Sequence, residues 1–184
     1  NEVKDVSKEL RSTTFIVKTI ETKSQSSSPN PPFRTSTLQM TASSFLGFTA
    51  DRTMRSAQSL YEAGLITYLR TDGINISISP NTGEPFSEEN PGPPPLEEIR
   101  NVIHQKYGKE FLSEKVRIYK SKVKNSQEAH EAIRPTNIQT FPENLNLGQD
   151  EQKLYSLIWN RTVSSQMSNA QYERKKIVIN SEDG

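Results

Sequence analysis

Apolar residues recur along this chain with two different spacings, and the change of spacing divides the chain into regions. Residues 12–20 alternate roughly at every second position and are rich in β-branched side chains, which predicts a strand. Residues 172–180 have the same character and predict a second strand. Because an isolated strand cannot form a sheet, we expect the two to pair or to lie near each other, as parts of a discontinuous domain.

Between these strands, apolar positions recur every three or four residues, as in helices that bury one face. The spacing predicts a helix over residues 37–45, which Gly47 closes. It predicts a second helix over residues 50–63, with Thr49 as its N-cap and Gly64 at its end. Two short helices joined by a tight glycine turn are typical of a helix-turn-helix scaffold.

The same spacing predicts two later helices, over residues 96–107 and 150–166. At the start of the helix predicted over residues 37–45, Thr35 or Ser36 offers a side-chain oxygen as N-cap. The face of that helix that we expect to be buried carries Leu38, Ala42, Phe45 and Leu46.

Two stretches follow neither spacing. Residues 23–32 are rich in Ser, Pro and Asn and predict a linker. Residues 74–95 hold six prolines, an Asn-Thr-Gly turn and several acids, and predict a surface excursion.

The order of these elements predicts a mainly α fold. A helical domain with a helix-turn-helix-like core is expected over residues 31–168, inserted between two β-strands of a discontinuous neighbouring domain. Residues 1–30 would supply one strand and a linker of that neighbouring domain, and residues 169–184 would supply its return strand.

Composition narrows the function classes. The 184 residues include 23 Lys and Arg against 22 Asp and Glu, so any contact with nucleic acid must come from local clustering of charge. With no cysteine, disulfides and thiolate metal sites are excluded. No apolar run approaches the ~20 residues of a membrane-spanning helix. The chain opens at Asn1, and we expect it to be part of a longer polypeptide.

Candidate chemistry lies where the second predicted helix runs into a polar turn. Tyr68 and Arg70 stand two positions apart there, a phenol that can attack phosphorus beside a guanidinium that can hold phosphate. The alternative is a core tyrosine beside a solvated arginine. Against it, Leu65, Ile66 and Leu69 already supply an apolar face.

A second candidate run, residues 126–135, contains His130 and Arg134. Both side chains could donate to phosphate oxygens, with Pro135 ending a turn. The alternative has His130 capping a turn and Arg134 pairing with Glu131 on one helical turn. His104, in a periodic helix, is expected to be an ordinary surface histidine.

Four blocks of sequence resemble the type IA DNA topoisomerases, those of bacteria most of all. The blocks occur in that family's order and at compatible distances, and the resemblance covers most of residues 31–180. They are Pro-Phe-Arg-Thr-Ser-Thr-Leu-Gln at 32–39, Leu-Tyr-Glu-Ala-Gly-Leu-Ile-Thr-Tyr-Leu-Arg-Thr-Asp at 60–72, Ala-His-Glu-Ala-Ile-Arg-Pro at 129–135 and Gln-Lys-Leu-Tyr-Ser-Leu-Ile-Trp at 152–159.

The resemblance implies an isomerase that relaxes negatively supercoiled DNA by cleaving and religating one strand. Tyr68 matches the catalytic tyrosine, which holds the 5′-phosphate of the cut strand as a phosphotyrosine ester. Arg70 matches an arginine that contacts the scissile phosphate. His130, Arg134 and Thr71 match positions near bound DNA. Gly73 stands where the family usually has serine, and against the family's pattern the proline-rich residues 79–95 look like an insertion.

The resemblance also implies what else the enzyme needs. In the family, Mg²⁺ is bound by a Toprim domain with an Asp-x-Asp-x-Glu signature, which occurs nowhere in these 184 residues. We therefore expect no metal site here, and an isolated chain that is inactive without that domain. The expected partners are single-stranded DNA and the Toprim and remaining domains of the same polypeptide, which include the arch domain of the two strands. A monomer is expected, in the bacterial cytoplasm on the nucleoid and away from membranes.

Two other hypotheses remain open. A non-catalytic helix-turn-helix module would bind duplex DNA through a basic second helix, although Asp51 and Glu62 offset Arg52 and Arg55 there. A gating role would let the helical domain swing away to admit DNA. Its hinges would lie at residues 23–32 and 168–172.

Overall fold

The computed structural model of the chain describes residues 7–8, 10–11, 13–76, 94–119 and 131–181. These residues form two units, one within Asn1–Ser27 and Ala170–Gly184 and the other within Ser28–Asn169. The predicted insertion, residues 79–95, falls almost wholly outside the described residues.

The first unit contains a two-stranded antiparallel ribbon. Strand β1 spans Phe15–Ser27 and pairs along its length with β2, Ala170–Ser181, with one irregularity between Val17 and Thr19. The predicted pairing of the two strands is confirmed. The predicted linker is wrong for residues 23–27, which continue β1. Nearly every residue of β1 is exposed, so backbone pairing defines this part of the strand and no alternation of side chains reveals it.

The second unit is mainly helical, and the four predicted helices are confirmed with small shifts at their ends. That the helical domain is inserted between strands of a neighbouring family domain stays a prediction. The helices are α1, Thr35–Leu46; α2, Ala50–Glu62; α3, Pro94–Tyr107; and α4, Gln149–Ser164.

The start of α1 differs from the prediction. Arg34 occupies the N-cap position and Thr35 is already helical, so neither Thr35 nor Ser36 is the cap. The N–H of Arg34 donates to Thr37 Oγ1 at 3.1 Å. The reason for the difference is that Thr35 is committed elsewhere, since its backbone N–H donates to the carbonyl of Thr71 at 3.0 Å.

The end of α1 shows one correct and one wrong prediction. Gly47 closes the helix with φ 66°, a left-handed conformation that favours glycine. Phe45, expected on the buried face, is 78% exposed. The glycine turn instead carries Phe48 into the core, where it is 2% exposed.

The helical unit has a continuous apolar core built on α4. Trp159 is buried and its indole N–H donates to the carbonyl of Ile138 at 2.9 Å. Tyr155 is fully buried, which raises its pKa to about 12, and its hydroxyl donates to the carbonyl of Thr140 at 2.8 Å. Both aromatic side chains are therefore packed and hydrogen-bonded, and they fix the loop after residue 136 against α4.

Candidate active-site loop

The segment that follows α2 leaves the helix sharply and holds the predicted catalytic residue. Gly64 has φ 70°, so glycine is favoured at this turn. Beyond it, Ile66 and Leu69 are each 1% exposed and anchor the loop in the core. Tyr68, between these two anchors, is 52% exposed. The core-tyrosine interpretation is therefore wrong, and the phenol faces solvent.

Backbone and side-chain hydrogen bonds tie this loop to residues 132–136. The Thr67 N–H donates to the carbonyl of Arg134 at 2.9 Å. The Thr67 hydroxyl donates to the carbonyl of Ala132 at 2.8 Å and accepts from the Arg134 N–H at 3.0 Å. One residue before Tyr68, the chain is thus held by three hydrogen bonds to a single partner segment.

That partner segment is extended. It forms antiparallel bridges from Pro135 to Ile66 and from Ile133 to Phe33. The alternative that places Glu131 and Arg134 on one helical turn is therefore wrong, and so is the prediction that Pro135 ends a turn. Ile133 is completely buried, so the segment is held firmly between the loop and the chain before α1.

The other side of Tyr68 is held in a similar way. The Thr71 hydroxyl donates to the carbonyl of Glu131 at 2.9 Å and accepts from the Gly73 N–H at 3.0 Å. With Thr67, it brackets the two predicted catalytic positions between bonded threonines. The Thr71 hydroxyl is therefore used within the fold. The predicted contact of Thr71 with DNA stays a prediction.

One aromatic neighbour contacts the ring of Tyr68. Tyr61, near the C-terminal end of α2, meets it edge to face, with ring centroids 5.5 Å apart and planes at 67°. Tyr61 is 40% exposed, so the pair lies at the surface with one ring supporting the other. The contact limits the directions in which the Tyr68 ring can swing.

The two arginines of the predicted site differ in their surroundings. Arg70 is exposed and makes no hydrogen bond or ion pair with any residue that the structure describes. Arg134 is largely buried: its Nε donates to Glu131 at 2.7 Å and its Nη1 to the carbonyl of Pro135 at 2.8 Å. The ion pair predicted between Arg134 and Glu131 is confirmed, although not on a helical turn, whereas the Arg70 guanidinium stays available.

The remaining predicted residue, His130, lies outside the described residues. Sequence reasoning missed Thr67 and Tyr61, and it assigned Thr35 to capping alone. A hydroxyl directly flanking a candidate nucleophile was the available signal for Thr67. No pattern in the sequence indicated that the start of α1 meets the loop, because that contact joins residues 36 positions apart.

Other features of the described chain do not offer a competing centre. Within the described ranges, no three histidine or acidic side chains come together as metal ligands, so these residues do not fit a magnesium site. No described helix combines the length and the apolar character needed to cross a bilayer. An open groove of about 380 Å³ is mainly apolar and lies away from Tyr68; its lining includes Thr41, Phe45, Tyr107, Leu157 and Met167.

Comparison with known proteins places this loop in a family. A family model described as DNA topoisomerase matches residues 1–184. The chain belongs to the type IA DNA topoisomerases, as the four sequence blocks predicted. DNA topoisomerase 1 of Rickettsia bellii is 47% identical over 178 aligned positions, which cover 91% of this chain and 20% of that protein. DNA topoisomerase 1 of Helicobacter pylori strain 26695 is 42% identical over 190 positions, covering 98% and 24%.

A solved structure shares the fold. Full-length topoisomerase I from Thermotoga maritima matches with a TM-score of 0.72 and 35% sequence identity, covering 98% of this chain and 28% of that one. The chain spans about a fifth to a quarter of the length of the two curated relatives.

Proposed function

We propose that this chain carries the strand-cleaving tyrosine of a type IA DNA topoisomerase. In this proposal, Tyr68 attacks one DNA strand and Arg70 holds the phosphate that is attacked. The full-length enzyme cleaves and religates that strand and so relaxes negatively supercoiled DNA.

One observation carries the proposal: an exposed phenol and an exposed, uncommitted guanidinium stand two residues apart on a loop anchored on both sides. Anchoring matters because a nucleophile must be held close to its attack geometry, and a displacement of about 1 Å can cost about 100-fold in rate. The Thr67 and Thr71 hydrogen bonds provide that restraint. Exposure leaves the phenol accessible to a strand that binds from solvent.

The chemistry is a balanced transesterification. The phenolic oxygen forms a bond to phosphorus and loses its proton, while the bond from phosphorus to the 3′-oxygen breaks. The electron pair leaves with the 3′-oxygen, which takes up a proton, and the 5′-phosphate stays on Tyr68. Because one ester replaces another, the reverse reaction reseals the strand without ATP. A fixed cation such as Arg70 stabilises the charge that develops on the phosphoryl oxygens.

Three further residues are proposed to lie near bound DNA: His130, Arg134 and Thr71. The Arg134 guanidinium is mostly committed to Glu131 and to a backbone carbonyl. We therefore propose that Arg134 mainly holds the extended segment 131–135 in place against the Tyr68 loop, and that any contact with phosphate is secondary. Thr71 would act in the same way, through its bond to the Glu131 carbonyl.

The full-length enzyme is proposed to need Mg²⁺, which when bound supplies positive charge next to the reacting phosphate. The described residues do not fit that ion, so we assign it to the Toprim domain and attribute no step to it here. The proposed partners are single-stranded DNA and the other domains of the same polypeptide. We further propose a monomer that works in the bacterial cytoplasm on the nucleoid.

A cleavage assay tests this proposal. A single-stranded oligonucleotide labelled at its 3′ end is incubated with Mg²⁺ and the isolated chain, with and without the missing domains. We expect covalent label on protein only when the missing domains are present, and none with Tyr68→Phe. Robust cleavage by the isolated chain would contradict the half-site part of the proposal. Equal labelling of Tyr68→Phe and wild type would contradict the whole of it.

The alternative of a plain helix-turn-helix DNA-binding module is weakened by α2. Arg52, one of its few cations, donates to both carboxylate oxygens of Asp150 at 2.6 Å and stacks on Phe48. Only Arg55 then stands against Asp51 and Glu62, which is a poor surface for phosphates. Binding to duplex and to single-stranded DNA across salt concentrations separates the two: a duplex preference with sequence selectivity would favour the module.

The gating hypothesis needs narrower hinges than the predicted ones. Residues 23–27 and 170–172 belong to paired strands. Residue 29 is also held within the helical unit, because the Tyr119 hydroxyl contacts the carbonyls of Pro29 and Ser165 at 3.2 and 2.8 Å. If the helical domain swings, we propose that it turns at the junctions 27/28 and 169/170, where the two units divide.

A further inference from the structure

We infer that Thr35 is a positioning residue that fixes the direction of Arg70 for strand cleavage; the inference rests on the proposed function. Thr35 is the first residue of α1 and lies 35 positions before Arg70. The helix that carries it is rigidly placed, because Leu38 and Ala42 are completely buried.

The hydrogen bonds of one hydroxyl carry the argument. Thr35 Oγ1 donates to the carbonyl of Leu69 at 2.7 Å, with a longer contact to the carbonyl of Thr71 at 3.1 Å. The same oxygen accepts from the Thr71 N–H at 2.9 Å. The hydroxyl therefore binds the turn as both donor and acceptor.

These contacts bracket Arg70 within the backbone. The Leu69 carbonyl belongs to the peptide group before Arg70, and the Thr71 N–H belongs to the peptide group after it. Since a planar peptide leaves only φ and ψ free at each residue, holding both flanking peptides sets the backbone conformation of Arg70. That conformation sets the direction in which its side chain leaves the loop.

Among the described residues, no side-chain hydrogen bond or ion pair orients Arg70. Its side chain is exposed and has no hydrogen-bonding partner among the residues that the structure describes, in contrast to Arg134. A guanidinium that must meet a phosphate in a planar fork depends on where its backbone points it. The Thr35 hydroxyl is the polar side-chain group on which both flanking peptides converge.

The start of α1 is not itself a phosphate site, because its first N–H is used within the protein. The Thr35 N–H donates to the carbonyl of Thr71, and the Arg34 N–H donates to the Thr37 hydroxyl. The helix end holds the loop, and the loop presents Arg70 to the ligand.

The test uses the full-length topoisomerase that contains this chain. Thr35→Val keeps the shape and removes the hydroxyl, Thr35→Ser keeps the hydroxyl, and Ser36→Ala is a control at an exposed position on the same helix turn. Three quantities are measured: the single-turnover rate of covalent attachment of a 3′-labelled oligonucleotide, the Kd for a non-cleaved strand, and the thermal midpoint.

We expect Thr35→Val to slow attachment by about 10- to 100-fold with the Kd for the strand within about twofold. Thr35→Ser should restore the rate to within about threefold, and Ser36→Ala should match wild type. A loss of thermal stability with an unchanged rate per folded molecule would show a merely structural role and overturn the inference. If Thr35→Val does not fold, Thr35→Ala removes the same hydroxyl without adding a methyl group.

A double-mutant cycle with Arg70→Ala shows whether Thr35 acts through Arg70. We expect Thr35→Val to have little further effect in the Arg70→Ala protein, because the side chain that it positions is gone. The same fold-loss in both backgrounds would overturn the inference and leave the proposed function intact. A wild-type protein that forms no adduct dependent on Tyr68 would overturn the proposed function, and the inference with it.

Discussion

The candidate active-site loop and the β-ribbon place the same kinds of residue in opposite surroundings. In the loop, isoleucine and leucine are buried and threonine hydroxyls bind carbonyls across the fold. In the ribbon, Ile20 and Ile177 are 61% and 54% exposed, and the strands are held by their mutual backbone pairing. Side-chain packing and hydrogen bonds thus hold the loop that carries Tyr68, whereas backbone pairing holds the ribbon. The proposed attack by Tyr68 requires such precise placement.

Matched isoleucine truncations should give the largest difference between the two regions. Ile133→Ala removes a completely buried side chain and should lower the free energy of unfolding by about 2–5 kcal/mol. Ile177→Ala removes an exposed one and should change it by less than about 0.5 kcal/mol. Urea unfolding is followed by circular dichroism and by fluorescence of Trp159, the only tryptophan. Equal losses in the two variants would contradict the comparison.

Matched threonine substitutions should give a smaller difference. Thr67→Val leaves the Ala132 carbonyl and the Arg134 N–H without their partner, which should cost about 1–3 kcal/mol. Thr22→Val, on the exposed ribbon, should change the free energy of unfolding by no more than about 0.5 kcal/mol. The same urea titrations measure both. An unchanged free energy of unfolding in Thr67→Val would show that the Thr67 hydroxyl does not hold the loop.

The smallest expected effect concerns an ion pair within the helical unit. The hydrogen bonds from Arg52 lower the pKa of Asp150, so the folded state binds its proton less readily than the unfolded state does. The stabilisation is present above the ordinary aspartate pKa of about 3.9 and is lost as the pH falls through the lower, folded value. The difference in Tm between wild type and Asp150→Asn should therefore be constant above about pH 5 and narrow below about pH 4. A difference that widens on acidification would contradict this sign.

The structural features that the sequence predicted correctly are those set by helical periodicity and by local helix caps. Thr49 as N-cap of α2 is confirmed, since its side chain accepts from the Arg52 N–H, and Gly47 closes α1 in a left-handed conformation. These features depend on residues three or four apart. Phe45 was wrongly predicted to be buried, because helical periodicity does not show that Phe48, after the glycine turn, fills the core instead.

The candidate loop was predictable only in part, for the same physical reason. The sequence blocks identified Tyr68 and Arg70, but the contacts that hold them join Thr35 to Leu69 and Thr67 to Ala132. Such contacts leave no periodic trace, because a hydroxyl that binds a distant carbonyl looks in sequence like any surface hydroxyl. The ribbon shows the reverse case: residues 23–27 have a linker's composition, yet backbone pairing makes them a strand.

We propose that Tyr68 becomes bonded to DNA, and its neighbour Tyr61 offers a matched control. The two rings touch, and both are about half exposed. The measurement is mass-spectrometric mapping of the nucleotide-bearing peptide after the full-length enzyme reacts with a single-stranded oligonucleotide. We expect a 5′-phosphate on Tyr68 in wild type and in Tyr61→Phe, and no adduct in Tyr68→Phe. Nucleotide on Tyr61, or an adduct that survives Tyr68→Phe, would contradict it.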